Sequence, residues 1–202
     1  MKLILASNSP RRREILSALG LRVEVLSPDV DEDCDRAAFT PEELVMGLAC
    51  RKVRAAGQQL KNAGYDREDC LVLSADTVVA LDGQILEKPR DDDDARRMLC
   101  ALSGRMHEVY TGIALLSGGR LAVDVQRTAV YFRTLTKEDI ETYIATGEPR
   151  DKAGAYGIQG RGVLFVERID GDYFNVVGLP VVRVDELARS AFGVSLMKGL
   201  QV

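Results

Sequence analysis

The chain has few of the residues that build metal centres and disulfide frameworks. It contains one histidine and four cysteines in 202 residues. The cysteines, at positions 34, 50, 70 and 100, are single and widely spaced, and none forms a C-x-x-C pair. Structural zinc sites and disulfide frameworks depend on closely patterned Cys and His residues. We therefore expect neither in this protein.

Long apolar runs are also missing. The amino-terminal stretch MKLILAS is too short for a signal peptide, and a Ser-Pro pair and three arginines follow it at once. Nothing later in the chain has the length of a membrane-spanning segment. The sequence predicts a soluble cytoplasmic protein that does not contact a membrane.

The charge balance excludes a large basic surface. The net charge is −4 and the isoelectric point is about 5.2, so no overall field attracts a nucleic acid polymer or an anionic membrane. Any anion must be bound by a local cluster of cations. With 46% hydrophobic residues the chain can bury a substantial core. The length fits one large domain or two closely packed lobes. We find no repeat or linker, and we expect one domain over residues 1–202.

Residues 71–89, LVLSADTVVALDGQILEKP, contain an aspartate between two apolar, β-branched runs. Such runs favour a buried strand. Asp82-Gly83 is a signal for a two-residue hairpin turn, with residues 84–87 as the returning strand. Paired residue numbers then sum to 165, and this register places Thr77 opposite Lys88.

Asp76 needs an explanation because a carboxylate is costly to bury without a partner. Two interpretations remain open at this point. Asp76 either forms a structural ion pair with Lys88, or it belongs to a functional site.

The amino-terminal segment combines features of a phosphate site. A short buried strand over residues 2–6 is followed by the polar turn Ser7-Asn8-Ser9, and Ser9-Pro10 starts a helix that carries Arg11, Arg12 and Arg13. Free amide groups at a helix start favour anions. The alternative is a solvated basic helix start. The acidic loop of residues 27–35 contains Glu32, but its spacing does not match a calcium loop.

Further along the chain, the pattern predicts helices over residues 40–60, 95–102, 136–147 and 180–192 and strands over residues 107–116, 121–132, 162–166 and 173–178. Lys52 lies at the edge of the apolar stripe of the first of these helices. We expect the single histidine, His107, to be structural.

Residues 151–162, DKAGAYGIQGRG, contain four glycines and follow neither a helical nor a strand period. Glycines allow a backbone to approach a ligand closely. A flexible surface loop is the alternative, although Asp151, Lys152, Tyr156 and Gln159 are unusual residues for a simple linker.

Seven stretches together resemble the Maf family of nucleoside triphosphate pyrophosphatases. They are LASNSPRR, LACRKV, SADTVV, LEKPRD, LSGRMHEVYTG, EPRDKAGAYGIQGRG and GDYFNVVGLP. They occur in the order typical of the family and cover nearly the whole chain. Val53 in LACRKV stands where a small residue is usual, which concerns only the local packing of that helix.

The resemblance implies a fold and a set of site residues. The fold would be α/β, with a twisted mixed β-sheet, flanking helices and two lobes around a central cleft, as in other house-cleaning nucleotide pyrophosphatases. Asp76 would be the proton acceptor. The substrate-selecting residues would be Arg11, Thr77 and Gln159. The remaining cleft residues would be Ser7, Arg12, Glu32, Lys52, Lys88, Asp151 and Lys152.

The resemblance also implies a reaction. The DKAGAYGIQG subgroup hydrolyses dTTP and UTP to the monophosphate and pyrophosphate with Mg²⁺ or Mn²⁺. Glu32 and Asp76 are the candidate metal ligands here, and two roles stay open for Asp76: free base or metal ligand. The partner would be a small nucleotide, and the sequence leaves open whether the protein is a homodimer. Two alternatives stand beside this prediction: the sister subgroup that hydrolyses 7-methyl-GTP, and a non-catalytic nucleotide-binding regulator of septum formation.

Overall fold

The computed structural model describes residues 1–30, 35–65 and 69–198. The strands are β1 (Lys2–Ala6), β2 (Val23–Leu26), β3 (Cys70–Leu81), β4 (Gln84–Leu86), β5 (Met106–Ser117), β6 (Arg120–Phe132) and β7 (Val166–Asp170). The α-helices are α1 (Pro10–Ala18), α2 (Pro41–Asn62), α3 (Asp92–Leu102), α4 (Lys137–Ala145), α5 (Tyr173–Val177) and α6 (Val181–Phe192). Short 3₁₀ turns occupy Arg36–Ala38, Glu148–Asp151, Ala153–Ala155 and Gly160–Phe165.

The seven strands form one mixed sheet. Their order is β2-β1-β3-β5-β6-β7, with β4 paired to β3 beside this path. β1 runs parallel to β2 and β3, whereas the pairings of β3 with β4 and β5, of β5 with β6 and of β6 with β7 are antiparallel. The fold is therefore mixed α/β with flanking helices, as expected. In the described ranges no helix has both the length and the apolar character needed to cross a bilayer.

The central hairpin has the predicted register. Val79 pairs with Leu86 and Leu81 with Gln84, so the paired numbers sum to 165. Asp82 and Gly83 both have positive φ, 51° and 78°, as a tight primed turn requires. However, β4 ends at Leu86, so the pairing does not extend to the expected Thr77–Lys88 pair. Pro89 has no amide hydrogen to continue a ladder.

Helix starts follow the capping signals closely. Thr40 with Glu43 and Thr136 with Asp139 form the two capping boxes, at α2 and α4.

The strand predicted over residues 173–178 is wrong, because this stretch forms the short helix α5. The carboxylate of Asp172 accepts the amide hydrogen of Phe174 at 2.8 Å. This N-cap outweighs the β propensity of the following aromatic and branched residues. The strand predicted over residues 162–166 is displaced as well, because β7 begins at Val166.

One face of the sheet carries two separate apolar clusters. The first joins β1, the start of β3 and the middle of β5 to α1 and α6 through residues such as Leu5, Leu16 and Leu179. The second joins the end of β3 to α3 and α4 through residues such as Leu99 and Ile144. α2 covers the opposite face. Val166, Ile169 and Val176 pack against both clusters and connect them.

His107 is buried in the second cluster. Its ring packs edge-on against Phe132 and Tyr156, with centroids 4.8 and 5.3 Å away. Its Nε2 hydrogen-bonds with the Tyr156 hydroxyl at 2.8 Å, and its Nδ1 has no partner among the described residues. Burial lowers the pKa of His107 from 6.5 to about 4. The ring is therefore neutral at physiological pH.

This environment predicts a pH dependence of stability. Because the folded-state pKa lies below the unfolded-state value, the stabilisation is complete above about pH 6.5 and is lost as the pH falls towards about 4. We expect the free energy of unfolding to fall by about 2 kcal/mol between about pH 7.5 and about pH 5. Denaturant titrations measure this. His107→Gln, which cannot titrate, is the control, and an equally steep loss in that variant would contradict the assignment.

Candidate active site

The cleft lies where one edge of β3 has no neighbouring strand. β1 pairs with β3 as far as Leu73, and β4 pairs with it from Val79 onwards, on the same edge. β5 occupies the other edge throughout this stretch. Among the described residues, positions 74–78 therefore have no strand on the open side. The gap lies at the carboxyl end of parallel β1, where ligands commonly bind in α/β sheets.

A cavity of about 620 Å³ opens at this gap. Ten of the predicted site residues line it: Ser7, Arg11, Arg12, Lys52, Asp76, Thr77, Lys88, Asp151, Lys152 and Gln159. Glu32 lies outside the described residues. The cleft is thus shared by the helix start, the central strand and the glycine-rich loop that the sequence singled out separately.

The carboxylate of Asp76 is paired with Lys52. The Lys52 ammonium donates to Asp76 Oδ1 at 2.6 Å, and both side chains are only 13% exposed. The expected structural partner, Lys88, is not the residue that holds Asp76. Lys88 follows β4 after the ladder has ended, whereas Lys52 reaches the carboxylate from α2, on the other face of the sheet.

Two close contacts fix α2 above Asp76. Gly112 is the cross-strand partner of Asp76, and a β-carbon at this glycine would lie 2.4 Å from the backbone carbonyl of Val45. Only glycine lets the helix approach so closely. Ser74 donates to the carbonyl of Ala49 at 2.7 Å. The helix cannot move away from the strand without losing this buried hydrogen bond, so the position of Lys52 is well defined.

Thr77 points to the opposite face of β3 and is held by Arg12. The Arg12 guanidinium donates to Thr77 Oγ1 at 3.1 Å, to Ser7 Oγ at 3.0 Å and to the carbonyl of Gly178 at 2.8 Å. It thereby joins α1, the turn after β1, the central strand and the end of α5. Arg12 organises the wall of the cleft.

The hydrogen bonds around the Thr77 hydroxyl define which of them it donates and which it accepts. Its neighbour Thr111 donates to the carbonyl of Asn175 at 3.2 Å, so in the 2.9 Å contact between the two threonines Thr77 is the donor. Thr77 also accepts from Arg12. Since a hydroxyl has one hydrogen and two lone pairs, only acceptor capacity remains for a ligand.

The start of α1 lies at the cleft. Ser9 is the N-cap residue, but its side chain makes no capping hydrogen bond. Ser9, Pro10, Arg11 and Arg12 all line the cavity. A helix start of this kind, with two arginines, suits a phosphate group.

The described lining is cationic overall. It includes six basic side chains (Arg11, Arg12, Arg36, Lys52, Lys88 and Lys152) and three carboxylates (Asp76, Glu87 and Asp151), a net charge of +3. Each carboxylate is in contact with a cation. Burial would raise the pKa of Asp151, but its hydrogen bond to Lys152 at 2.6 Å and the charges of Lys152 and Arg11 outweigh burial and lower it.

Two further charged residues line the cleft, of which the hairpin register placed Glu87 near Asp76 and no sequence pattern predicted Arg36. Arg36, in the 3₁₀ turn before α2, contacts Glu87 at 2.6 Å, and both line the cavity. Glu87 directly precedes Lys88 in LEKPRD, so that motif already contained a signal for it. Nothing in the sequence around Arg36 distinguishes it from a surface arginine.

The described residues contain no group of three His, Cys, Asp or Glu side chains arranged to hold a metal ion. Mg²⁺ nevertheless commonly binds through one or two carboxylates together with substrate phosphates and water. In the described part of the chain, Asp76 Oδ2 makes no hydrogen bond or ion pair. The donor set therefore fits a divalent ion that is held mainly by the substrate.

The fold and the cleft define an α/β protein with a cationic pocket large enough for a phosphorylated small molecule. Comparison with known proteins gives the family. The chain belongs to the family described as Maf-like protein, whose model matches residues 2–191.

Curated relatives are similar over nearly their whole length. The chain is 52% identical to a dTTP/UTP pyrophosphatase of Moorella thermoacetica, over 96% of this chain and 97% of the relative. It is 46% identical to a dTTP/UTP pyrophosphatase of Dictyoglomus thermophilum, over 97% and 98%. Among solved structures, the Staphylococcus aureus Ham1 protein gives a TM-score of 0.45 at 17% identity, over 65% of this chain and 72% of that chain.

Proposed function

We propose that this protein hydrolyses dTTP and UTP to the nucleoside monophosphate and pyrophosphate. The observation that carries the proposal is the Lys52–Asp76 pair at the open edge of β3, inside a cleft with a net charge of +3. A carboxylate beside a pocket for polyphosphate can accept a proton from the water molecule that attacks the substrate. The names of the relatives that share 44 to 52% of the sequence supply the substrate class.

Asp76 is the proton acceptor in this mechanism. Lys52 hydrogen-bonds Oδ1 and fixes the orientation of the carboxylate. Oδ2 then accepts a proton from a water molecule that attacks the α-phosphorus, and pyrophosphate leaves with the electrons of the broken P–O bond. Positioning and charge stabilisation account for most catalysis in phosphoryl chemistry.

The cations of the cleft bind the phosphates. Arg11, Lys88 and Lys152 line the cleft together with the start of α1. Glu32 is the residue that we assign to a bound Mg²⁺ or Mn²⁺. Asp76 would be a second ligand only in the alternative in which it is not the free base. When bound, such an ion neutralises phosphate charge and polarises the bond that breaks.

The base is selected by Thr77, Arg11 and Gln159. Uracil and thymine present two carbonyl oxygens with an N3–H group between them, whereas the N3 of cytosine is an acceptor. The acceptor capacity that remains on Thr77 suits an N3–H donor. Arg11 can only donate, which suits a carbonyl oxygen. A single methyl group discriminates weakly, by about 1–3 kcal/mol, so we expect both uracil and thymine to be accepted.

The proposed function is tested by product analysis across nucleoside triphosphates with Mg²⁺ or Mn²⁺. We expect pyrophosphate and the monophosphate as products, with kcat/KM for dTTP and UTP above that for CTP and the purine nucleotides. Release of orthophosphate with a diphosphate would refute the reaction. Preference for 7-methyl-GTP would place the chain in the sister subgroup, and binding without turnover would identify a regulator.

Replacing Asp76 tests its role as the base. Asp76→Asn keeps the shape of the side chain but removes the proton acceptor, so we expect turnover of UTP to fall by about 10² or more. Asp82→Asn is the matched control, because Asp82 lies in the turn of the same hairpin, outside the cleft lining, and asparagine tolerates its positive φ. Near-normal turnover in a folded Asp76→Asn protein would return Asp76 to a purely structural role.

Replacing Gln159 tests base selection. Its amide can present either a donor or an acceptor, and Gln159→Ala removes both. We expect the ratio of kcat/KM for UTP to that for CTP to fall, while kcat for UTP changes less. Gln84→Ala, at an exposed position of β4, is the control. If the ratio in Gln159→Ala equals that of the unchanged protein, Gln159 does not read the base.

A further inference from the structure

The turn that carries Gln159 is held on both sides by hydrogen bonds to α4 and to the residues just after it. Gln159 lies between Gly157 and Arg161 in the glycine-rich loop of residues 151–162. The amide group of Gly157 hydrogen-bonds with Tyr143 on α4, and that of Arg161 hydrogen-bonds with Glu148 just after α4. We call Tyr143 and Glu148 the loop clamp.

Tyr143 holds the amino-terminal side of the turn. Its hydroxyl accepts the amide hydrogen of Gly157 at 3.1 Å in a buried hydrogen bond. The ring is 3% exposed and packs edge-on against Phe165, with centroids 4.8 Å apart. The tyrosine therefore cannot follow the loop if the loop moves. Burial raises the pKa of Tyr143 to about 12, so the hydroxyl is neutral during function.

Glu148 holds the carboxyl-terminal side. Its two carboxylate oxygens accept the amide hydrogen of Arg161 at 3.3 and 3.2 Å. Gly160 has a φ of +79°, and a β-carbon there would lie 2.8 Å from Glu148 Oε2. A side chain at position 160 would separate the turn from the carboxylate, because one of the two would have to move.

We infer that Tyr143 and Glu148 are positioning residues for base selection, because they fix the backbone from which Gln159 reaches into the cleft. This inference rests on the proposed function. Neither side chain is among the residues that line the cleft, so neither acts by touching the nucleotide.

The physical reason lies in the flexibility of glutamine. Gln159 is exposed, and its backbone is extended, with φ −89° and ψ 151°. The described residues provide no hydrogen bond to its amide. Its discrimination between bases therefore depends on where its backbone is held, and small misplacements of a recognition group are costly. The hydrogen-bonded amide groups of Gly157 and Arg161, each two residues from Gln159, restrict that backbone.

Tyr143→Phe is the main test, because it removes one oxygen and keeps the ring in its aromatic cluster. The buried amide of Gly157 then lacks a partner, and the loop shifts to find one. We expect the UTP-to-CTP ratio of kcat/KM to fall at least about threefold, with kcat for UTP within about twofold of the unchanged protein. Tyr110→Phe is the matched control: it removes a buried hydroxyl that bonds Glu108 on β5, and we expect it to leave the ratio unchanged.

A double-mutant cycle shows whether the effect passes through Gln159. In a Gln159→Ala background, Tyr143→Phe is expected to cause no further fall in the ratio. Glu148→Ala is the second variant and is expected to lower the ratio in the same non-additive way. The inference is overturned if neither variant changes the ratio, or if both changes persist without Gln159. Absence of pyrophosphate release from the unchanged protein would instead refute the proposed function.

Discussion

The ion pair between Lys52 and Asp76 is the constraint on which the site depends. A largely buried carboxylate in the middle of a strand is tolerated only if its charge is compensated. The compensating ammonium comes from α2, and α2 can approach the sheet because Gly112 leaves room for its backbone. The packing of this helix therefore determines the environment in which Asp76 acts. A change that lifts α2 from β5 also changes the environment of the proposed base.

The position of the cleft follows from an interruption in the sheet. β3 is longer than either neighbour on its open edge, and β1 and β4 cover only its two ends. Alternate residues of a strand point to opposite faces, so Asp76 and Thr77 would normally be separated by the sheet. At the uncovered edge both side chains line one cavity. The gap thus brings together a carboxylate positioned by α2 and a hydroxyl positioned by Arg12.

Local signals in the sequence were sufficient for much of the fold. The Asp82-Gly83 turn predicted the hairpin register, and Thr40 and Thr136 predicted two helix starts, because these features depend on neighbouring residues. The ion-pair partner of Asp76 was not predictable in this way. Lys52 is 24 residues away, and only the docking of α2 brings it to β3. The strand prediction for residues 173–178 is wrong because the N-cap of Asp172 outweighs the β propensity of this stretch. The grouping of the cleft residues came from the family resemblance.

The charges of the cleft also indicate how it can bind a polyanion without being unstable when empty. Asp76, Glu87 and Asp151 each contact a cation, so repulsion among the basic side chains is partly offset. A nucleoside triphosphate brings more negative charge than these carboxylates remove, and it is attracted by the remaining +3 charge of the described lining. Lys52 is the cation that holds the proposed base, because its ammonium donates to Asp76 and both side chains are largely buried. We infer that phosphate binding draws mainly on the other cations of the lining, while Lys52 stays with Asp76 and keeps the base oriented.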